Sequence, residues 1–164
     1  MSEVRFAVDA SLVPLAKKLR ILGVDVKVCY SEEPGKVLLI CRKEGRILLT
    51  KKCSLIKFFE KYGQKVFYIK DEKDLKRVIE HFKLKPERAR CPYCNRELLP
   101  TPREEVIEKV PLYVFLNAEK FSRCPSCGRI FWRGSHLDWV KEVIPDGSGE
   151  TETDKGNKDS GKRG

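Results

Sequence analysis

The sequence lacks the features of a membrane or secreted protein. No stretch approaches the roughly 18 apolar residues that a bilayer-crossing helix needs. The amino terminus has no basic segment followed by an apolar one. We therefore expect a cytoplasmic protein with no membrane partner. In that reducing compartment the seven cysteines are expected to be free thiols or metal ligands rather than disulfides.

Glycine-rich phosphate-binding motifs are also missing. None of the loops that follow the strand-like runs of the first part has the glycine spacing that cradles a phosphate group. This argues against a domain that binds a nucleotide cofactor.

Negative charge is scarce in the first part of the chain, and the net charge of +10 arises there. Residues 1–90 hold 22 Lys and Arg against 12 Asp and Glu, residues 91–145 hold 8 against 7, and residues 146–164 hold 4 against 5. A basic surface attracts polyanions, of which nucleic acid is the commonest. The alternative is a solvated, lysine-rich surface that aids solubility.

The first 85 residues repeat a strand followed by a helix four times. Short apolar or alternating runs predict strands at 4–8, 24–30, 46–50 and 66–69. Helical apolar stripes follow each of them, and their expected first residues or caps are Ser11, Pro34, Ser54 and Asp71. Four such units predict an α/β fold in which helices cover both faces of a parallel sheet.

The composition changes after Lys85, where prolines become frequent and two C-x-x-C pairs occur. We expect one domain at 1–85, a small metal-binding domain at 86–145 and a tail at 146–164. The tail has no apolar side chain that could build a core, so we expect it to be disordered.

The two C-x-x-C pairs predict a structural zinc site. Its ligands would be the four cysteines of CPYC and CPSC, which are Cys91, Cys94, Cys124 and Cys127. Two cysteines in one tight turn reach an ion from one side, and a second pair completes the tetrahedron without leaving an open position. Asn95 and Gly128 follow the pairs and suit the left-handed backbone of such turns. The alternative is a redox dithiol, which needs only one pair.

Basic and aromatic residues alternate after the second pair, in RIFWRGSH. Such a stretch can stack on RNA bases and neutralise phosphates. The candidate RNA-binding residues here are Arg129, Trp132, Arg133 and His136. The alternative is that Phe131 and Trp132 lie on opposite faces of a strand and that one of them packs inward.

The chain resembles the mutator-seven C-terminal RNase family from about residue 5 to 136. The matching stretches are RFAVDASLVPLAKKLRILGVDV, KEGRILLTKK, RCPYCNREL, VPLYV and FSRCPSCGRIFWRGSH. The resemblance implies a PIN-like nuclease domain, metal-dependent cleavage of RNA and a carboxy-terminal zinc ribbon that helps to hold the substrate. A similar pairing occurs in the endonuclease that matures small-subunit ribosomal RNA, so ribosomal RNA or the ribosome is a candidate partner.

The resemblance also implies carboxylates that hold Mg²⁺ or Mn²⁺ where the strands end. Asp9 matches the first acid of the family, and the other candidate catalytic acids are Glu32, Glu33 and Asp71. Such a metal orients the attacking water and stabilises the leaving oxygen. As alternatives, Asp71 would only cap a helix, and the two glutamates would only form a solvated turn.

Lys52 departs from the family pattern. Members usually carry an aspartate two residues after the threonine that ends the third strand, here Thr50. An ammonium group cannot ligate Mg²⁺ but can contact phosphate, so Lys51 and Lys52 join the candidate RNA-binding residues. Two functions stay open: a metal-dependent ribonuclease, or a non-catalytic RNA- or ribosome-associated protein with a decayed nuclease site.

Overall fold

The computed structural model describes residues 4–85 and 88–132. The predicted tail, the end of the predicted zinc ribbon, and the candidates Arg133 and His136 lie outside the described residues. Contacts group the described residues into two units, one reaching Asn95 and one beginning at Arg96. This boundary falls later than the change of composition at residue 85, so the CPYC turn groups with the first unit. No helix in the described part of the chain is long and apolar enough to cross a membrane.

The first unit is a four-stranded parallel sheet flanked by helices, as the sequence predicts. Its strands are β1 (Arg5–Asp9), β2 (Asp25–Cys29), β3 (Arg46–Thr50) and β4 (Val66–Tyr68). Its helices are α1 (Val13–Ile21), α2 (Pro34–Glu44), α3 (Cys53–Lys61) and α4 (Leu75–Phe82). Short 3-10 turns, Ala10–Leu12 and Glu72–Asp74, precede α1 and α4.

The strand order β2-β1-β3-β4 creates a switch point between β1 and β3. The chain leaves β1 toward β2 on one side, and the later crossovers move toward the other side. Because parallel crossovers are right-handed, α1 covers the face opposite to α2 and α3. In such sheets the crevice at the switch point, beyond the carboxyl ends of the strands, is where ligands bind.

Alternating residues of the central strands supply the core on both faces. Ala7, Cys29 and Leu48 face α2 and α3 in one buried cluster. On the other face Phe6 packs edge-on against Phe82 of α4, with the ring centroids 5.0 Å apart. Strands buried on both faces fit the nearly continuous apolar composition of β1 and β3.

Three helices begin elsewhere than their predicted caps, and one of them is α4, whose N-cap is Asp74 rather than Asp71. Asp9, rather than Ser11, accepts the first hydrogen bond, because a 3-10 turn separates β1 from α1. Helix α3 begins at Cys53, which leaves Lys52 instead of Ser54 in the N-cap position. The Lys52 side chain makes no capping hydrogen bond there, and lysine has no acceptor with which to make one.

The second unit is built around a three-stranded antiparallel sheet. Its elements are β5 (Leu99–Thr101), α5 (Leu112–Asn117), β6 (Phe121–Arg123) and β7 (Ile130–Phe131), and the strand order is β5-β6-β7. A small apolar core of Val106, Val114, Ala118 and Phe121 holds it together. The CPSC turn connects β6 to β7.

Candidate functional site

Asp9 and Thr50 meet at the switch point of the parallel sheet. Asp9 ends β1 and Thr50 ends the adjacent β3. The Thr50 hydroxyl donates to Asp9 Oδ2 at 2.5 Å, and Ser11 donates to Oδ1 through its backbone N–H, at 2.8 Å, and through its hydroxyl. Asp9 is 3% exposed and Thr50 is fully buried. The carboxylate is therefore fixed in the crevice where parallel sheets bind ligands.

The surroundings of Asp9 favour its charged form. Burial raises the pKa of Asp9, but the hydrogen bonds from Ser11 and Thr50 and the positive charge of Lys52 outweigh burial and hold this pKa below its ordinary value. An ionised, preoriented carboxylate is what a divalent cation requires of a ligand. It is equally a suitable partner for an ammonium group.

The lysine pair directly follows Thr50 in the chain. Lys51 and Lys52 are exposed, and the Lys52 backbone N–H donates to Thr50 Oγ1 at 3.1 Å. The Thr50 hydroxyl also donates to Asp9, so the side chain of Thr50 contacts both the Lys52 backbone and the carboxylate. A cation in the N-cap position of a helix is electrostatically unfavourable, since the helix dipole is positive there. The lysine is thus unsuited to capping and places positive charge beside Asp9.

The glutamates predicted as catalytic lie on the surface. Glu32 and Glu33 follow β2 and are exposed. Glu33 lies in the N-cap position of α2 without a side-chain cap bond. Its carboxylate pairs with Lys36 at 3.6 Å, and both side chains are about two-thirds exposed. These contacts are those of a solvated turn.

Asp71 lies in a small cleft that Lys51 also lines. Its Oδ1 accepts from the Lys73 backbone N–H at 2.8 Å, so it holds the turn before α4. Asp71 therefore caps the 3-10 turn that precedes α4, in agreement with the capping alternative considered from the sequence. The cleft has a volume of about 240 Å³, and its polar lining residues are Ser11, Lys51, Asp71 and Lys73. Two ammonium groups and one carboxylate make this cleft suitable for an anion.

One group of side chains in the described part of the chain meets the geometry for a shared metal ion. Its members are Cys91, Cys94, Cys124 and Cys127, and their Sγ atoms all lie within 4.8 Å of one another. A tetrahedral zinc site with Zn–S bonds of about 2.3 Å separates its sulfurs by about 3.8 Å. The four thiols therefore fit zinc in number, type and spacing. Among the described side chains no three carboxylates gather in this way.

The two C-x-x-C turns have the same backbone design. Asn95 N–H donates to the Cys91 carbonyl at 2.8 Å, and Gly128 N–H donates to the Cys124 carbonyl at 2.9 Å. Asn95 has a φ of 64° and Gly128 a φ of 80°, which confirms the left-handed residue predicted after each pair. In the second turn the N–H groups of Ser126 and Cys127 also donate to Cys124 Sγ, each at 3.4 Å. Donors aimed at this sulfur stabilise the thiolate that zinc requires.

One aromatic residue after the second turn, Trp132, takes part in packing. Trp132 is partly buried and packs against the core of the second unit, together with Ile130. Arg129 is exposed, and its carbonyl accepts from the Cys124 N–H at 3.0 Å. Trp132 therefore packs inward, as the alternative to RNA binding predicted.

The contacts that fix the CPYC turn to strand β2 were not predicted from the sequence. Asn95 Oδ1 accepts from the Val26 N–H at 3.2 Å, and Asn95 Nδ2 donates to Asp25 at 2.7 Å. From the helix side, Arg20 donates to the carbonyls of Val26 and Pro92 at 2.9 and 2.6 Å. The one signal in the sequence was the position of Arg20, a charged residue on the apolar stripe of α1. In the structure Arg20 is only 8% exposed.

Comparison with known proteins settles the family. The family model described as the Mut7-C RNAse domain matches residues 4–144. The chain belongs to this family. No curated protein and no solved structure matches the chain. The resemblance inferred from the sequence is thereby confirmed, and it spans both the parallel sheet and the four cysteines of this Mut7-C member.

Proposed function

We propose that this Mut7-C protein binds RNA through a nuclease fold whose metal site has been converted into a phosphate-binding site. The observation that carries the proposal is the hydrogen bond from the Lys52 backbone N–H to Thr50 Oγ1. It holds a lysine next to the threonine that binds Asp9, at the position where the family usually has an acid. An ammonium group neutralises the carboxylate that a divalent cation would otherwise share. The lysine can also contact a phosphate oxygen as a point charge.

The charges around the switch point support this proposal. Lys51 and Lys73 line the small cleft together with Asp71, and the charge of Lys52 helps to lower the pKa of Asp9. Three cations against two carboxylates favour an anionic ligand over Mg²⁺. The excess of basic residues in the first 90 residues acts in the same direction on a polyanion.

The zinc proposed for the four cysteines has a structural role. Four thiolates fill the tetrahedral coordination of zinc and leave no position for water or substrate. We infer that the metal holds the two turns in shape and takes no part in cleavage. The proposed domains are the nuclease-like domain at 1–85, the zinc ribbon at 86–145 and the tail at 146–164.

Metal-dependent cleavage of RNA is the second candidate function, and the geometry of Asp9 favours it. This carboxylate is ionised, buried and held by three donor groups at the switch point. It would be the first ligand of Mg²⁺ or Mn²⁺, with Glu32, Glu33 or Asp71 as proposed further acids. A bound metal would supply Lewis-acid activation of water, while Thr50 and Ser11 keep the Asp9 carboxylate oriented.

One labelled single-stranded RNA distinguishes the two candidates. We expect the natural protein to bind it at low salt in the presence of a magnesium chelator and to leave it intact after Mn²⁺ is added. Lys51→Ala and Lys52→Ala should each weaken binding. Brisk cleavage that Asp9→Asn abolishes would instead establish the ribonuclease. The cytoplasmic location and the ribosomal partner stay predictions from the sequence.

A further inference from the structure

We propose that a second cleft in the first unit is a stacking site for an unpaired base of single-stranded RNA. The cleft has a volume of about 590 Å³ and lies along α1, the edge strand β2 and the CPYC turn. Its basic and aromatic lining residues are Lys17, Arg20, Lys27, Arg46, Tyr30 and Tyr93. This inference rests on the proposed RNA binding and names the form of RNA and the groups that contact it.

Two tyrosine rings at the cleft remain accessible to a ligand. Tyr30 is 72% exposed and Tyr93 is 54% exposed, although burial of an aromatic ring usually contributes strongly to stability. Lys17 Nζ stands 4.9 Å from the centre of the Tyr93 ring. A base that stacks on such a ring brings its own phosphate near the ammonium group, which is how sites for single-stranded nucleic acid are built.

The charge of the lining selects for a polyanion. None of the described residues that line the cleft is acidic. Arg46 pairs with Asp25 and Glu44, at 2.9 and 2.7 Å, and Lys27 pairs with Glu44 at 3.0 Å. These two cations are held in place by their partners, while Lys17 adds a charge that the acids do not offset. Four cations line the cleft, and the two acids in these ion pairs offset two of them.

The walls of the cleft are fixed before any ligand binds. Arg20 and Asn95 satisfy the carbonyl and the N–H of Val26 on the edge strand. The edge is therefore not open there for an added β-strand of a partner protein. A rigid wall with exposed rings suits a flat ligand and avoids the entropic cost of ordering loops.

The position of Tyr30 connects this cleft to the switch point. Asp9 pairs with Cys29 in the register of β1 and β2, and Tyr30 is the next residue. Neighbouring strands lie about 4.8 Å apart, so Tyr30 and Asp9 belong to the same carboxyl edge of the sheet. One RNA strand can therefore place a phosphate near Lys52 and a neighbouring base at Tyr30.

Tyrosine substitutions separate stacking from general attraction to phosphates. We expect Tyr30→Ala and Tyr93→Ala each to weaken binding of a labelled uridine oligomer by about tenfold. Tyr30→Phe and Tyr93→Phe should retain affinity, because phenylalanine keeps the ring. Tyr68→Ala is the matched control, since Tyr68 is 46% exposed on β4 at the other edge of the sheet. Thermal unfolding and zinc content should be unchanged in these variants.

The salt dependence of binding provides the second measurement. Lys17→Ala should reduce the slope of log affinity against log salt by about 1, whereas the tyrosine variants should keep the slope of the natural protein. A matching oligomer without bases should bind the natural protein and Tyr30→Ala equally. The corresponding DNA oligomer shows whether the site also accepts deoxyribose.

The possible failures are distinct. If the natural protein binds the RNA but Tyr30→Ala and Tyr93→Ala bind as tightly as Tyr68→Ala, the stacking site is wrong and the proposed function stands. If the natural protein does not bind the RNA at low salt, both proposals fail.

Discussion

The hydroxyl of Thr50 donates a 2.5 Å hydrogen bond to the carboxylate of Asp9, and this bond joins the ends of the two central strands. Both residues are buried, and the strands that carry them are adjacent and parallel. The bond fixes one acid at the switch point. The threonine also accepts the Lys52 N–H, so the same side chain orders the start of α3.

Thr50→Val should destabilise the protein by about 2 kcal/mol, because a buried carboxylate loses a charge-assisted hydrogen bond. Valine keeps the shape of threonine, so packing is little changed. The pKa of Asp9 should rise, since one of the groups that lower it is removed. Urea unfolding at neutral pH and an NMR titration of Asp9 measure the two effects. Thr50→Ser keeps the hydroxyl, and an equal rise of the Asp9 pKa in that variant would contradict this account.

Lys52→Asp should strengthen Mn²⁺ binding and allow cleavage of RNA, because it adds a carboxylate beside Asp9. The substitution also supplies an N-cap to α3, which should stabilise the protein by about 1 kcal/mol. Lys52→Asn is the matched control, since asparagine caps the helix equally well without adding a carboxylate.

Calorimetric Mn²⁺ titration and a cleavage time course compare the two Lys52 variants. Lys52→Asp should gain more metal affinity than Lys52→Asn, which only removes the competing ammonium group, and Asp9→Asn added to Lys52→Asp should remove the gain. If Lys52→Asn gains as much as Lys52→Asp, the added carboxylate is not a ligand and residue 52 lies outside the metal site.

The parallel α/β fold could be predicted from sequence because each strand and helix carries its own local signal. The runs at 46–50 and 24–30 contain the observed strands β3 and β2, and α2 ends at its C-cap Gly45, which has a left-handed φ of 66°. The helix starts were less predictable, because both Asp9 and Ser11 can cap and only the 3-10 turn after β1 decides between them.

The second cleft could not be predicted, because it depends on contacts between distant parts of the chain. Asn95 was expected to shape its own turn, yet its side chain also binds two residues of β2. Tyr30 and Tyr93 carry no common motif and come together only when that turn packs on the edge strand. The four cysteines were predictable, since their spacing encodes the tetrahedron directly.

Acid should destabilise the protein partly through Asp25. Burial raises the pKa of Asp25, but hydrogen bonds from Asn95 and Arg46 lower it by more than burial raises it. The pKa of Asp25 in the folded protein therefore lies below the ordinary 3.8. The stability from ionised Asp25 is therefore fully present above 3.8 and is lost as the pH falls through the lower folded value. Asp25→Asn should be less stable at neutral pH and lose less on acidification. An equal acid loss in urea unfolding of both proteins would argue against this role.

Removal of the proposed zinc should loosen the two C-x-x-C turns and leave the parallel sheet folded, because the core of the sheet does not include these cysteines. Purified protein should contain about one zinc per chain. Cys124→Ser should lose the metal and the amide protection of residues 126–128, whereas Ser126→Ala, in the same turn, should keep both. Hydrogen exchange with and without a chelator measures the protection. A metal-free protein with fully protected turns would refute the zinc site.

The salt dependence of RNA affinity tests the central claim most directly. Fluorescence anisotropy of a labelled single-stranded RNA, measured in a chelator at increasing salt, should give tight binding at low salt and a steep linear fall of log affinity, with a slope of about −0.7 per phosphate contacted. Lys52→Ala should make the slope shallower by about the contribution of one phosphate contact. A protein that binds only after Mg²⁺ or Mn²⁺ is added, or whose affinity does not change with salt, would contradict the claim that its cations hold the RNA.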